Sequence, residues 1–287
     1  MIALHFAGYQ PARSVHTRAL HALRAGVARA GDGLAISVTD NVVAQSRKAT
    51  DLLAMVETGE LDGCYFAASY LAARVPELGA FDRPFQAGSR EQVFADLDGD
   101  VGASLAASVA AATGYHVLSW WDNGIRHISN AERPIRTPAD CIGLRLRTLD
   151  NAQHQAAFRR LGFHPQFIDV ADLPRAVAER TVDAQENPLT NLANFNLHAH
   201  HRHVSLTGHL QGLAPLLVNR TRFDALPDEQ RRALTEAAAA STTVQRSLAI
   251  AEDVECLRLL TAAGVEVVAR EAIDLQAFRD ALLSQIP

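Results

Sequence analysis

The stretch CIGLRLRT (141–148) sets two arginines two residues apart in a short run with the alternation of a β-strand. Leu144 and Leu146 fall on one face by the period of two, so Arg145 and Arg147 share the other. An arginine facing solvent needs no partner, whereas one facing a cleft needs an anion. Its planar fork suits a carboxylate, to which it donates two parallel, charge-assisted hydrogen bonds. A second candidate is Arg126 in WWDNGIRHIS, just after an Asn-Gly pair that reads as a turn. Taken alone, each arginine fits a surface charge or an internal salt bridge as well as a ligand contact.

Two polar residues join them. Asn187, in VDAQENPLTN, lies between an expected strand and a helix expected to begin at Pro188. There it could cap the helix, or offer its amide to a ligand near the helix N-terminus. His209, in LTGHLQG, sits at what reads as a glycine-flanked chain reversal. The cluster His198, His200, His201 and His203 crowds one helix end without the spacing or the carboxylate of a zinc site, so a solvated helix end is expected and no metal. Enzyme signatures are missing: GASLA (102–106) lacks the second glycine of a nucleophile elbow, and there is no H-E-x-x-H, phosphate loop or dinucleotide fingerprint. Among the twelve histidines and many carboxylates no spacing singles out a catalytic pair, and no cofactor is expected.

The elements that must position these residues alternate between strand and helix patterns, which argues for α/β layers. IALHFA opens as a strand, SVHTRALHALRAGVARAGDG follows as a helix, and LAISVTD is the next strand. DLLAMVETGELDGCYFAASYL (from Asp51) and DLPRAVAERTVDAQENPLTNL (from Asp172) align without a gap, pairing Asp62 with Asp183. Both read as helix, tight turn, short strand and helix, which suggests two similar domains. From Pro227 to Gly264 nothing interrupts a helix of roughly 36 residues, about 54 Å long, and a kink near Ser241–Thr243 is expected. Such a helix is too long for one small domain.

Length and composition set the bounds. The 287 residues suggest about two domains, and 48% hydrophobic with 21% charged residues is ordinary for a globular chain. A formal net charge of −5 excludes the basic footprint of a nucleic-acid binder. Cys64, Cys141 and Cys256 are odd in number and fit no disulfide or metal framework. The N-terminus MIALHFAGYQP lacks the pattern of a secretory signal, so the chain is expected to be cytosolic or to stand without its leader.

Four segments, VPELGAFDRPF (75–85), WWDNGIRHISNAERPIRTPADCIGLRLRT (120–148), LGFHPQFIDVADLPRAVAERTVDAQENPLTN (161–191) and LTGHLQGLAPLLVNRTRFDALPDEQRRAL (206–234), occur in an order and spacing that resemble the DctP-like substrate-binding proteins of tripartite ATP-independent periplasmic (TRAP) transporters. The resemblance runs nearly the full length. It implies a two-domain, periplasmic-binding-protein-like α/β fold, with a ligand cleft between domains, the long helix spanning both, and no catalytic residue. The domains expected are 1–120 with 208–248, and 121–207 with 249–287, the chain crossing between them.

By that resemblance Arg147 grips the ligand carboxylate, Arg126 adds a second contact, Asn187 faces the ligand and His209 forms a wall. Tyr9 and Gln10 from the N-terminal loop, Phe66, Ala67 and Ser69 after the Asp-Gly turn, and Phe167 complete the expected pocket. Ala67–Ala68 offers few polar groups there. The function implied is extracytoplasmic capture of a carboxylate-containing organic acid, a sugar acid ahead of a C4-dicarboxylate, and delivery by a periplasmic monomer to TRAP permease subunits in the membrane. An α/β enzyme acting on a small organic acid, and a ligand sensor of the same fold, are the alternatives.

Overall fold

The structure, a computed structural model, describes residues 1–31, 33–86 and 88–283. The strands are β1 (Ile2–Ala7), β2 (Leu34–Thr39), β3 (Gly63–Tyr65), β4 (Tyr115–Asn130), β5 (Arg145–Thr148), β6 (His164–Phe167), β7 (Ala184–Pro188), β8 (His203–Asn219) and β9 (Glu266–Val268). The helices of the first half are α1 (Val15–Ala30), α2 (Asp51–Glu57), α3 (Arg90–Asp98), α4 (Asp100–Ala112) and α5 (Ala152–Arg160). Those of the second half are α6 (Leu173–Ala178), α7 (Leu189–Asn194), α8 (Arg220–Asp224), α9 (Asp228–Ala262) and α10 (Leu275–Leu283).

The chain divides into two compact units: Met1–Glu77, Phe94–Asn123 and Leu213–Ala251 form one, and Leu78–Val93, Gly124–Gly212 and Glu252–Pro287 the other. Segment 78–93 joins the second unit through buried side chains. Phe85 stacks on Phe278 at 4.8 Å, and Asp82 lies 3.3 Å from His154 and 3.1 Å from the Asn151 amide.

In the first unit the strand order is β2-β1-β3-β8, with β1 parallel to both β2 and β3 and β8 antiparallel to β3. The second unit repeats it as β6-β5-β7-β4, again two parallel pairs and one antiparallel pair. The repeat reaches single hydrogen bonds. Asp62 donates its backbone N–H to the carbonyl of His5 at 2.9 Å, while its carboxylate accepts the N–H of His5 at 2.6 Å. Asp183 does the same to Arg145, at 2.9 Å in both directions. Each aspartate also meets an arginine, Arg222 for Asp62 and Arg145 for Asp183. Both end the tight turn after a short helix, and a side chain able to bond the adjacent strand's backbone fixes that turn.

The cores follow from alternation along these strands. In the second unit Leu144, Leu146, Ala184 and Ile128 pack with Phe158, Phe163 and Phe278. Helix α9 runs unbroken for 35 residues, with Pro227 immediately before it and Gly264 (φ 73°) just beyond its end. Near its middle, Ser241 and Thr242 return their hydroxyls to the carbonyl of Ala238 at 2.8 and 2.9 Å.

Two expected turns are strands. Asn123–Gly124 lies inside the continuous strand β4, and Gly208–His209 lies inside β8. Both glycines keep positive φ, 80° and 51°, so the backbone takes a local left-handed step without reversing. Pairing with neighbouring strands outweighs the local turn preference. The histidine cluster also differs from expectation: His201 is buried, its Nδ1 3.0 Å from the Ser129 hydroxyl, and His203 meets Glu266 at 3.1 Å. Among the described residues no group of three or more His, Cys, Asp or Glu side chains is placed to hold a metal, and no helix is long and apolar enough to cross a membrane. The three cysteines are buried free thiols.

Candidate functional site

Strand β5 lies between β7 and β6, with Arg147 in register with Gln185 on one side and Gln166 on the other. Alternation puts Leu146, Ala184 and Ile128 towards the core and turns Arg147, Gln185 and Asn187 to the opposite face. Arg145 shares that face, but it is exposed and closed on Asp183 at 2.6 Å. Arg147 is only 1% exposed. Its Nε donates to the carbonyl of Ile168 at 2.8 Å, and its two terminal nitrogens are buried with no acceptor among the described residues. A guanidinium in that position is costly unless an anion meets it.

Arg126 is equally buried but differently placed. Its Nε reaches Glu186 Oε2 at 2.6 Å and its Nη2 reaches Glu186 Oε1 at 2.8 Å, a bidentate pair. The same carboxylate accepts the Thr148 hydroxyl at 2.9 Å and lies 3.3 Å from His209 Nε2. Burial alone would raise the Glu186 pKa. The Arg126 charge and the His209 hydrogen bond outweigh it and hold the carboxyl well below its usual range. Burial lowers the His209 pKa against the pull of Glu186, so this imidazole is neutral at pH 7. Since a carboxylate only accepts, Nε2 carries the proton and Nδ1 accepts from the Thr207 hydroxyl at 2.7 Å. Glu186 thus uses up the charge of Arg126, while Arg147 keeps its own.

Asn187 ends up inside strand β7, not at a helix cap. Pro188 holds the N-cap position of α7 and no side chain caps it. The Asn187 amide instead donates to Gln185 Oε1 at 2.5 Å and accepts from Asn191 at 2.9 Å. Phe167 ends β6 in register with Thr148, at 38% exposure. The second unit therefore gathers Arg126, Asn187 and His209 around Glu186 and sets Arg147 on the face of Asn187.

The first unit gathers the others. Tyr9 stands 5.3 Å, ring to ring, from both Tyr65 and Phe66. Gln10, fully buried, places Oε1 3.3 Å from His16 Nδ1, and His16 stacks on Tyr65 at 4.7 Å. Burial lowers the His16 pKa to about 4, so it is neutral at pH 7. Ala67 and Ser69 are buried at the start of the turn after β3. Glu186 and His16 escaped the sequence reading. The available signal for Glu186 was a carboxylate inside a short strand otherwise lacking charge, next to Asn187.

Two α/β units on one strand plan, sharing a 35-residue helix, are the architecture of a bipartite solute-binding protein. Residues 6–286 match the family described as bacterial extracellular solute-binding protein, family 7 (DctP), and the chain belongs to that family. It is a periplasmic solute-binding component of TRAP-type transport and not an enzyme. The Escherichia coli K12 protein 2,3-diketo-L-gulonate-binding periplasmic protein YiaO is 31% identical over 82% of this chain and 71% of its own length. A Polaromonas sp. JS666 TRAP periplasmic solute-binding protein bound to D-erythronate superposes with a TM-score of 0.92 at 25% identity, over 99% of this chain and 92% of the other. One from Roseobacter denitrificans with bound β-D-glucuronate gives 0.91 at 26% identity, over 98% and 92%.

Proposed function

We propose that this protein captures a small organic acid, in first place a sugar acid, by clamping its carboxylate on Arg147, and delivers it to a TRAP permease in the membrane. The observation that carries this reading is the pair of buried Arg147 nitrogens without an acceptor among the described residues. A carboxylate meets both with parallel bonds, each worth about 1.5–3 kcal/mol net because it is ionic. Asn187, on the same face, offers polar atoms to hydroxyls near the carboxylate. Arg126 and His209 act through Glu186 by fixing the strand that presents Asn187. That relatives of this chain include a protein named for 2,3-diketo-L-gulonate and others solved with D-erythronate and β-D-glucuronate supports a sugar acid.

The test is a thermal-shift panel of uronates, aldonates, keto acids and C4-dicarboxylates, followed by calorimetry on Arg147→Ala. Micromolar binding is about −8 kcal/mol. Loss of one partner of a buried charge pair removes about 3–5 kcal/mol of it, so affinity should fall by roughly two to three and a half orders of magnitude. Unchanged affinity would remove Arg147 from the site.

A further inference from the structure

The two units share a hydrogen-bonding scheme, so their residues can be matched position by position. Asp62 bonds His5 as Asp183 bonds Arg145, which makes Ala7 the counterpart of Arg147. In register, Ala7 lies beside Cys64 as Arg147 lies beside Gln185, so Tyr65 and Phe66 answer to Glu186 and Asn187. Leu216 faces Tyr65 as Ile128 faces Glu186, and continuing that antiparallel register two residues makes Ala214 the counterpart of Arg126. Wherever the second unit carries Arg147, Arg126, Glu186 and Asn187, the first carries Ala7, Ala214, Tyr65 and Phe66. All four are buried.

From this asymmetry we infer that the solute carries a single carboxylate: an aldonate, a uronate or another monocarboxylic hydroxy acid, and not an aldarate or a C4-dicarboxylate. The inference rests on the proposed function, which makes Arg147 the carboxylate holder. Among the described residues the buried arginine and lysine side chains are Arg126 and Arg147 alone, and Glu186 neutralises the first. The expected pocket residues of the first unit (Tyr9, Gln10, Phe66, Ala67 and Ser69) carry no charge, and the His16 beside Gln10 is neutral at pH 7. A second carboxylate shut away from water would therefore find no cation, and an unpaired buried charge is far costlier than a hydroxyl, which needs only a hydrogen bond.

Calorimetry at pH 7 with matched pairs tests this: gluconate against glucarate, galactonate against galactarate, with malate and succinate as short diacids. The monoamide of each aldarate separates charge from shape. The expected result is that the better aldonate binds at least about a hundredfold more tightly than its aldarate, and that the monoamide recovers most of the difference. An aldarate or a C4-dicarboxylate binding within tenfold of the best monoacid, and losing that binding in Arg147→Ala, would overturn the inference and leave the proposed function standing. A monoamide as weak as its aldarate would show rejection by shape and overturn it too. Binding of neither class that depends on Arg147 would overturn both.

Discussion

Arg126 and Arg147 are alike in type and burial, and their partners alone separate them. Arg126 gives its fork to Glu186, whose remaining lone pairs go to Thr148 and His209. Glu186→Gln takes the counter-charge from the buried Arg126 guanidinium, and should cost about 3–5 kcal/mol in urea denaturation. Replacing both partners, Arg126→Met with Glu186→Leu, should cost clearly less than the single change, since no stranded charge remains. Equal costs would mean the pair is not the buried unit seen here. Alternation in RLRT was enough to put Arg145 and Arg147 on one face. It could not tell which of them is buried, because the partner that occupies Arg145 is Asp183, 38 residues away. Nor could it show that Arg126 is neutralised by Glu186, 60 residues off.

At the scale of elements, the strands that contain Gly124 and Gly208 were the hardest to read. Asn-Gly is the commonest short turn signal, yet here it sits in a 16-residue strand. The glycine is needed because φ is +80° and a Cβ at 124 would come 2.7 Å from the Pro188 Cβ. Gly124→Ala should therefore destabilise by about 2 kcal/mol or more. Gly143, at φ +81° but with open space around it, should lose only the conformational part, about 1 kcal/mol. Denaturant midpoints of the two variants provide the comparison, and equal shifts would contradict the steric argument. The helices and the paired Asp turns were legible because their signals are local: aspartate at the turn, apolar periodicity before it, and an uninterrupted run from Pro227 to Gly264.

Over the whole molecule, the gap-free match of two segments was the sign of one strand plan used twice, and the hydrogen bonds of Asp62 and Asp183 are its physical content. Charge was laid on one copy and aromatic rings on the other, which no period in the sequence could disclose. Burial also sets the acid limit of the fold. His16 and His201 are both lowered to about 4, chiefly by desolvation, from an ordinary 6.5. Each binds a proton more readily when unfolded, so its contribution is complete above about pH 6.5 and is lost as pH falls towards 4. Stability should drop between pH 7 and pH 5, by on the order of 1–2 kcal/mol per histidine. His16→Gln should flatten part of that slope. A urea midpoint that stays constant between those pH values would contradict the neutral, buried state of both rings.

The central claim is that the Arg147 guanidinium and one ligand carboxylate bind each other. A calorimetric cycle tests it: native protein and Arg147→Ala, each titrated with the tightest-binding sugar acid and with the sugar alcohol in which CH2OH replaces the carboxylate. If the two groups are partners, removing either weakens binding by about two orders of magnitude or more, and removing both costs little beyond removing one. If the two losses simply add, the carboxylate is held elsewhere and the account of this site is wrong.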